Sequence, residues 1–346
     1  MKISTFRIFL IKLKSWEYWP IYSVYFFVTL YWIWCSIKSR SPFYFQATNP
    51  GIKNGGFGGV SKFSILEKIH QKPISLLFES SASINFIEQQ TKNMGIYYPF
   101  IAKPDEGERG WGVKKINNSI DLENYLQWVE VPFIIQEFID LPVEAGIFYI
   151  RYPDKDEGEI TSIVIKDMLT LVGDGQSSLL ELILKNDRAY LQLKRIITEG
   201  KFDLNFIPKE EEKMVLNTIG NHCLGTIFFN GEKLNTEEMR KSFDQLSKNI
   251  EGFYYGRFDV RAATIGDIEK GNVKIMELNG VNSEPAHIYQ PGYSFIKGQK
   301  SLLFHWKTLY EISKINRKKG YKLIGIKEGI KEVRRIFKFN KTYKIR

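Results

Sequence analysis

The least polar stretch of the chain comes near its start. "YWPIYSVYFFVTLYWIWCSI" (18–37) holds no charged residue. Twenty helical residues cover about 30 Å, the depth of a bilayer core. The run therefore predicts a hydrophobic N-terminal helix that spans a membrane or lies in its interface, with a helix buried in the protein as the alternative. Seven of its residues are Tyr or Trp, rings that favour the headgroup level. "GIKNGGFGG" (51–59) follows as a flexible connection. Beyond it, short apolar runs alternate with longer amphipathic ones. "PISLLFE", "PFIAKP" and "PFIIQEFI" read as strands. "SASINFIEQQTKNMG" reads as a helix capped by Ser81 or Ser83 and stopped by Gly95, and another helix is expected near 119–128. This alternation predicts an α+β or α/β fold. In the tail, Ile326, Ile330, Val333 and Phe337 recur at helical spacing, with Lys327, Lys331, Arg334, Arg335 and Lys338 on other faces. That is a basic amphipathic helix, suited to a membrane surface or to packing on the body.

Charge sharpens the picture. The net charge of the 346 residues is +10, but it is unevenly placed. Residues 314–346 hold 13 basic and 2 acidic residues, residues 1–53 hold 7 and 1, and the remaining 29 basic and 36 acidic residues leave the middle at −7. Basic ends on an acidic body argue against a nucleic-acid partner and for an anionic membrane surface. The expected location is the cytoplasmic face of a membrane. Two cysteines, Cys35 and Cys223, make neither a disulfide framework nor a cysteine zinc site. His222 and Cys223 are expected to be packing residues.

Two stretches carry candidate chemistry. In "IAKPDEGERGWGV" (101–113), Lys103 ends an apolar strand and Gly107, Gly110 and Gly112 follow. Glycines allow positive φ and close backbone approach, so successive N–H groups can cradle phosphate; an ordinary glycine-rich hairpin is the plainer alternative. "YYGRFDVRAATIGDIEKGNVKIMELNGV" (254–281) reads as two neighbouring strands. Alternation along a strand puts Glu277 and Asn279 on one face and Arg257 and Asp259 on one face. Hard oxygen donors in that arrangement suit Mg²⁺; a hairpin with polar outward faces is the alternative.

In chain order, Lys103, the glycine loop, Gln136-Glu137-Phe138-Ile139, Glu144, Lys166, "VGDGQSSLLELI" and "GRFDV…MELN" resemble the ATP-grasp superfamily, within it the D-alanine–D-alanine ligase and cyanophycin synthetase branches. The resemblance covers roughly 96–295. It implies an α+β fold of two subdomains clasping ATP (96–313), a small α/β domain before them (41–95), the hydrophobic segment (1–40) and the basic tail (314–346). It implies that Lys103, the loop with Gly107, Gly110 and Gly112, and Lys166 contact ATP phosphates. Gln136 and the backbone of Glu137, Phe138 and Ile139 would read adenine, and Glu144 would bind the ribose. Asp259, Glu277 and Asn279 would hold one or two Mg²⁺ ions, with Mn²⁺ able to substitute. Arg257 would steady the transferring phosphoryl group and, with Lys166, carry catalysis.

The chain departs from the pattern in two places. The lysine expected near the helix before the phosphate loop is not evident; "SINFIEQQTKNMG" offers only Lys92 near the wrong end. Past Asn279 the chain reads "NGVNSEPAHIYQPGYS", so D-alanine itself is not supported. Asn282 and His287 in this turn are candidate substrate contacts, although the plainer reading of His287, and the favoured one, is a surface-loop histidine. The expected activity is an ADP-forming carboxylate–amine ligase that passes through an acyl phosphate. Its substrates would be a small carboxylate and amine or a lipid-linked precursor, and a homodimer is compatible with it. A phosphotransferase on the same fold and a nucleotide-binding protein without turnover are the alternatives.

Overall fold

The computed structural model describes residues 4–108, 110–218 and 220–343. Arg109 of the glycine loop and the outermost three residues of the 1–40 and 314–346 segments lie outside the described residues. The strands are β1 (Ser75–Phe78), β2 (Phe100–Pro104), β3 (Lys114–Ile116), β4 (Phe133–Glu137), β5 (Val143–Ile150), β6 (Glu159–Asp167), β7 (Thr170–Val172), β8 (Lys213–Val215), β9 (Ile227–Asn230), β10 (Tyr255–Ala262) and β11 (Lys274–Asn279). Among the described residues they form three antiparallel sheets ordered β1-β4-β2-β3, β11-β10-β5-β6-β9 and β7-β8. With the helices between them, the fold is mixed α+β.

The first sheet packs one face on helices Ile84–Asn93 and Ser119–Trp128, burying Ile87, Leu122, Tyr125, Phe100 and Phe133. Ser83 caps the first of these helices. β1, in the 41–95 span, pairs with β4 in the 96–313 span. The second sheet buries one face, with Ala145, Ile147, Phe258 and Val260, against Met239 and Phe243 of helix Glu237–Lys248. Its opposite face is divided. Phe148, Ile150 and Tyr255 pack on Leu309 and Ile312 of helix Phe295–Lys318, while the other end of the same face carries the charged residues described below.

The N-terminal run behaves differently from the expectation. It is broken into Trp16–Tyr18, Ile21–Val24 and Phe26–Ser39, with Tyr25 between the last two. No helix among the described residues is long and apolar enough to cross a membrane, and this overturns the expected placement at the cytoplasmic face of a membrane. The physical reason is that one side of the run is already used: Val24 and Val28 are buried with Ile288 and Leu302, and Cys35 with Tyr44 and Ile312. The segment expected as a flexible connection is also packed. Asn49 accepts from the N–H groups of Tyr254 and Tyr255 and donates to the carbonyls of Gly55 and Tyr255. A Cβ on Gly56 would sit 2.7 Å from the Cα of Gly280, so this contact between backbones requires glycine.

The C-terminal helix Ile326–Thr342 lies against the glycine loop. Arg335 pairs with Glu106 at 2.9 Å and donates to the carbonyl of Gly59. Phe339 and Tyr343 meet the ring of Trp111.

Candidate functional site

β10 and β11 bring the predicted residues together by register. Arg257 lies opposite Asn279, and Asp259 opposite Glu277. Directly opposed residues point to the same face, so the four side chains form a square. The register then slips: Val260 pairs with Ile275, leaving Met276 as an extra residue. Such a bulge re-aims the strand, and here the Met276 carbonyl accepts from Lys103 Nζ of the first sheet at 3.4 Å. The two sheets therefore meet at the site.

The square is dense in charge. Arg257 grips Asp259 with two hydrogen bonds, Nε to Oδ1 at 3.2 Å and Nη2 to Oδ2 at 3.1 Å. Lys166 Nζ is 3.0 Å from Asp259 Oδ1 and 3.1 Å from Glu144 Oε1. Asn279 Nδ2 donates to Asp259 Oδ2 at 2.8 Å. Burial alone would raise the Asp259 carboxyl, but Arg257 and Lys166 outweigh it and hold it down at about 2. Burial pulls Lys166 down, and Asp259 and Glu144 more than restore it. Gly146, opposite Asp259 on β5, leaves room for the pair: a Cβ there would lie 3.1 Å from Arg257 Cδ and 3.2 Å from Asp259 Oδ1.

Lys103 is buried on β2, with its Nζ donating to Gln136 Oε1 at 3.1 Å. Burial pushes its ammonium down to about 8, partly opposed by Glu277. The adjoining loop turns at Gly107, Gly110 and Gly112, all at positive φ. A Cβ on Gly112 would strike Pro104 and Trp128 at 2.7 Å.

Lys62 also reaches this loop. Its Nζ donates to the Gly107 carbonyl at 2.5 Å, and its charge lowers the pKa of Lys103. The sequence alone does not single out Lys62, which lies well before helix Ile84–Asn93. The available signal was its position directly after Ser61, the cap of helix Lys62–Leu66.

No family model matches the chain, and no curated protein matches it. Solved structures do resemble it. A bifunctional glutathione synthetase from Pasteurella multocida is 15% identical over 70% of this chain and 35% of its own, with a TM-score of 0.38. This chain therefore spans about a third of that protein's length. A D-alanine–D-alanine ligase from Bacillus anthracis is 13% identical over 75% and 69%, at 0.38. The VanG D-Ala:D-Ser ligase from Enterococcus faecalis is 12% identical over 71% and 61%, at 0.40. These likenesses are distant. The side chains of the site carry the functional reading.

The remaining predicted residues fall around this centre. Gln136 is buried and donates to Ser75 Oγ at 3.1 Å. The Glu137 N–H bonds Ile74 O, and Glu137 Oε2 accepts from Ile74 N at 3.1 Å. Lys115 stands 4.0 Å above the Phe138 ring. Ile139 O accepts from Arg261 Nη1 at 2.9 Å, and Arg261 Nη2 pairs with Glu144 Oε2 at 2.8 Å. Arg261, two residues beyond Asp259 on the same face, is a second residue that the sequence reading passed over. Asn282 is exposed. His287 is not a surface-loop histidine: it is buried, its Nδ1 lies 2.7 Å from Ser162 Oγ, and burial lowers its pKa. Of the two expected packing residues, Cys223 is exposed, whereas His222 packs on the rings of Tyr18, Phe228 and Tyr289, with Nε2 2.6 Å from Glu17 Oε2.

The donor set suits a hard divalent cation. Two carboxylates and one amide converge on one face. Among the described residues there is no group of three or more His, Cys, Asp and Glu that could hold a metal, so Asn279 would have to supply the third ligand. Its amide turns Nδ2 to Asp259, so Oδ1 is the atom that would coordinate.

Proposed function

We propose that this chain is an ADP-forming, ATP- and Mg²⁺-dependent carboxylate–amine ligase of ATP-grasp type. The observation that carries the reading is the cross-strand square Arg257–Asn279 and Asp259–Glu277, joined by Lys166 and met from the first sheet by Lys103. Cations from two sheets facing two carboxylates suit a triphosphate and its metal better than they suit structure alone. A purely structural site would have no need of a lysine buried at the junction of two sheets. The division into a 41–95 domain, a 96–313 clasp and a basic tail belongs to this proposal, as do the adenine contacts of Gln136, Glu137, Phe138 and Ile139 and the ribose contact of Glu144.

A substrate carboxylate oxygen attacks the γ-phosphorus of ATP, and the bond to the bridging β–γ oxygen breaks with ADP taking the electron pair. Lys62, Lys103 and Lys166 offset the phosphate charge, and the loop 105–113 covers it and excludes water. Arg257 steadies the moving phosphoryl group. Asp259, Glu277 and Asn279 would hold Mg²⁺, which supplies charge neutralisation to the phosphates when bound. An amine then attacks the acyl phosphate, and phosphate leaves. Positioning and charge stabilisation do the work, with no covalent protein intermediate.

The test is release of ADP and phosphate by purified protein given Mg²⁺, ATP and pooled amino acids, hydroxy acids and amines, beside Asp259→Ala. Pool-dependent release of both products, lost in the variant, supports the ligase. ADP with no free phosphate replaces it with a phosphotransferase. ATP binding without turnover under any pool overturns it.

A further inference from the structure

Past Asn279 the chain makes a turn that no part of the nucleotide chemistry uses. Glu284 lies in it. Its backbone carbonyl accepts from Arg257 Nη1 at 3.3 Å, so it adjoins the guanidinium assigned to the phosphoryl group. Its carboxylate accepts from two phenols, Tyr289 Oη at 2.7 Å and Tyr25 Oη of the N-terminal segment. Tyr289 in turn packs on Trp16 and His222, with ring centroids 5.8 and 5.3 Å apart. Among the described residues no cation pairs with this carboxylate. A half-buried carboxylate held by phenols with no paired cation is costly, and nothing in the nucleotide half repays it. Burial pushes it up to about 7, where a carboxylate can accept a proton from an amine.

We propose that Glu284 binds the ammonium of the amine acceptor and takes a proton from it, while Tyr25 and Tyr289 orient the carboxylate. The inference rests on the ligase reading above. The ammonium supplies the missing counter-charge, and the ring wall favours a cation further. The ammonium N–H bond breaks, and the proton passes to Glu284. The freed lone pair forms the C–N bond to the acyl carbon. The C–O bond to phosphate breaks with phosphate taking that electron pair. The second nitrogen proton leaves with the phosphate, and Glu284 returns its own to water. The N-terminal segment, through Tyr25, thereby forms one wall of the acceptor pocket.

The test compares two nucleophiles on one acyl phosphate. Hydroxylamine is neutral near pH 7 and needs neither a counter-charge nor a base, and it yields a hydroxamate that can be measured directly. Wild type, Glu284→Gln and Tyr25→Phe are each given ATP, Mg²⁺ and pooled carboxylates, with either hydroxylamine or pooled primary amines. The expected result is that Glu284→Gln lowers amine-dependent phosphate release at least tenfold more than it lowers hydroxamate formation, and that Tyr25→Phe gives a smaller split in the same direction. Equal losses on both routes in both variants would make Glu284 a packing residue, and no loss on the amine route would make it idle; either overturns the proposal. If Glu284→Gln fails to fold, Tyr25→Phe decides by the same ratio. Absence of hydroxamate from wild type with every carboxylate is a separate outcome: it removes the ligase reading, and this inference with it.

Discussion

Asp259 accepts from Arg257, Lys166 and Asn279 at once, so its replacement has two separable effects. Asp259→Asn leaves two neighbouring buried cations short of a partner. Because the carboxyl is held at about 2, below its unfolded value, the stability it contributes is present above the ordinary aspartate range and lost as pH falls through 2. Urea melts at pH 7 are expected to show the variant less stable by about 2 kcal/mol, the worth of that shift, with the gap closing in acid. Glu284 has the opposite sign. Its folded value of about 7 is raised, so its stabilising effect is complete below the unfolded glutamate value and falls away as pH rises through 7. Tyr25 and Tyr289 face its carboxylate, His222 stands behind Tyr289, and Arg257 reaches only the Glu284 backbone carbonyl. Wild type is expected to lose stability between pH 5 and 8 relative to Glu284→Gln, read from thermal melts across that range. Gly146→Ala sets a methyl against Arg257 and Asp259. It is expected to lower pool-dependent ADP release ~10–100-fold, the cost of misplacing reacting groups, with the circular dichroism spectrum retained.

At the scale of elements, periodicity read the strands well where both faces are simple. β2, β4 and helix Ser119–Trp128 fall where the pattern put them, and the pairing of β10 with β11 follows from two apolar runs flanking a polar turn. The N-terminal run misled because its rings hide its amphipathy. Val28 and Cys35 share one side of helix Phe26–Ser39 and are buried, while Phe26, Phe27, Leu30, Trp34 and Ile37 on the others are exposed. A count of apolar residues weighs both sides alike. The C-terminal helix was legible as a helix, but nothing local to it shows that its partner is the glycine loop. That contact predicts a function for Arg335. Arg335→Glu sets a negative charge against Glu106 and Glu332. Amide exchange at residues 105–112 is expected to quicken, and ATP to bind up to about fivefold more weakly, since an exposed pair is worth ~1 kcal/mol or less. Unaltered exchange in that loop would show that the helix merely lies beside it.

For the whole molecule, the acidic middle and basic tail are one electrostatic arrangement, because Arg335 brings the tail onto the body. At the other end, Glu17 pairs with Arg188 at 2.9 Å and with His222. Burial opposes both charges, yet Glu17 is held below its usual range and His222 above its own. Glu17 then stabilises above the ordinary glutamate range and loses its effect as pH falls, while His222 stabilises below the ordinary histidine value and loses its effect as pH rises. Limited proteolysis of residues 5–40 is expected to be slowest between the ordinary glutamate and histidine values, at about pH 5–6, and faster on both sides. None of this was legible in sequence, because Glu17 and His222 lie 205 positions apart and no local pattern joins them. Separations this large also bear on how the chain reaches its fold. Tyr25 meets Glu284 across 259 residues and Arg335 meets Glu106 across 229, whereas β5 and β6 are neighbours in the chain. Closing long loops costs entropy before any contact repays it. In refolding, the two sheets should assemble while both ends of the cleft are still open. Trp111, whose ring meets Phe339 and Tyr343, should recover its native fluorescence after the backbone has regained its structure, and competence to bind nucleotide should return with the tryptophan signal.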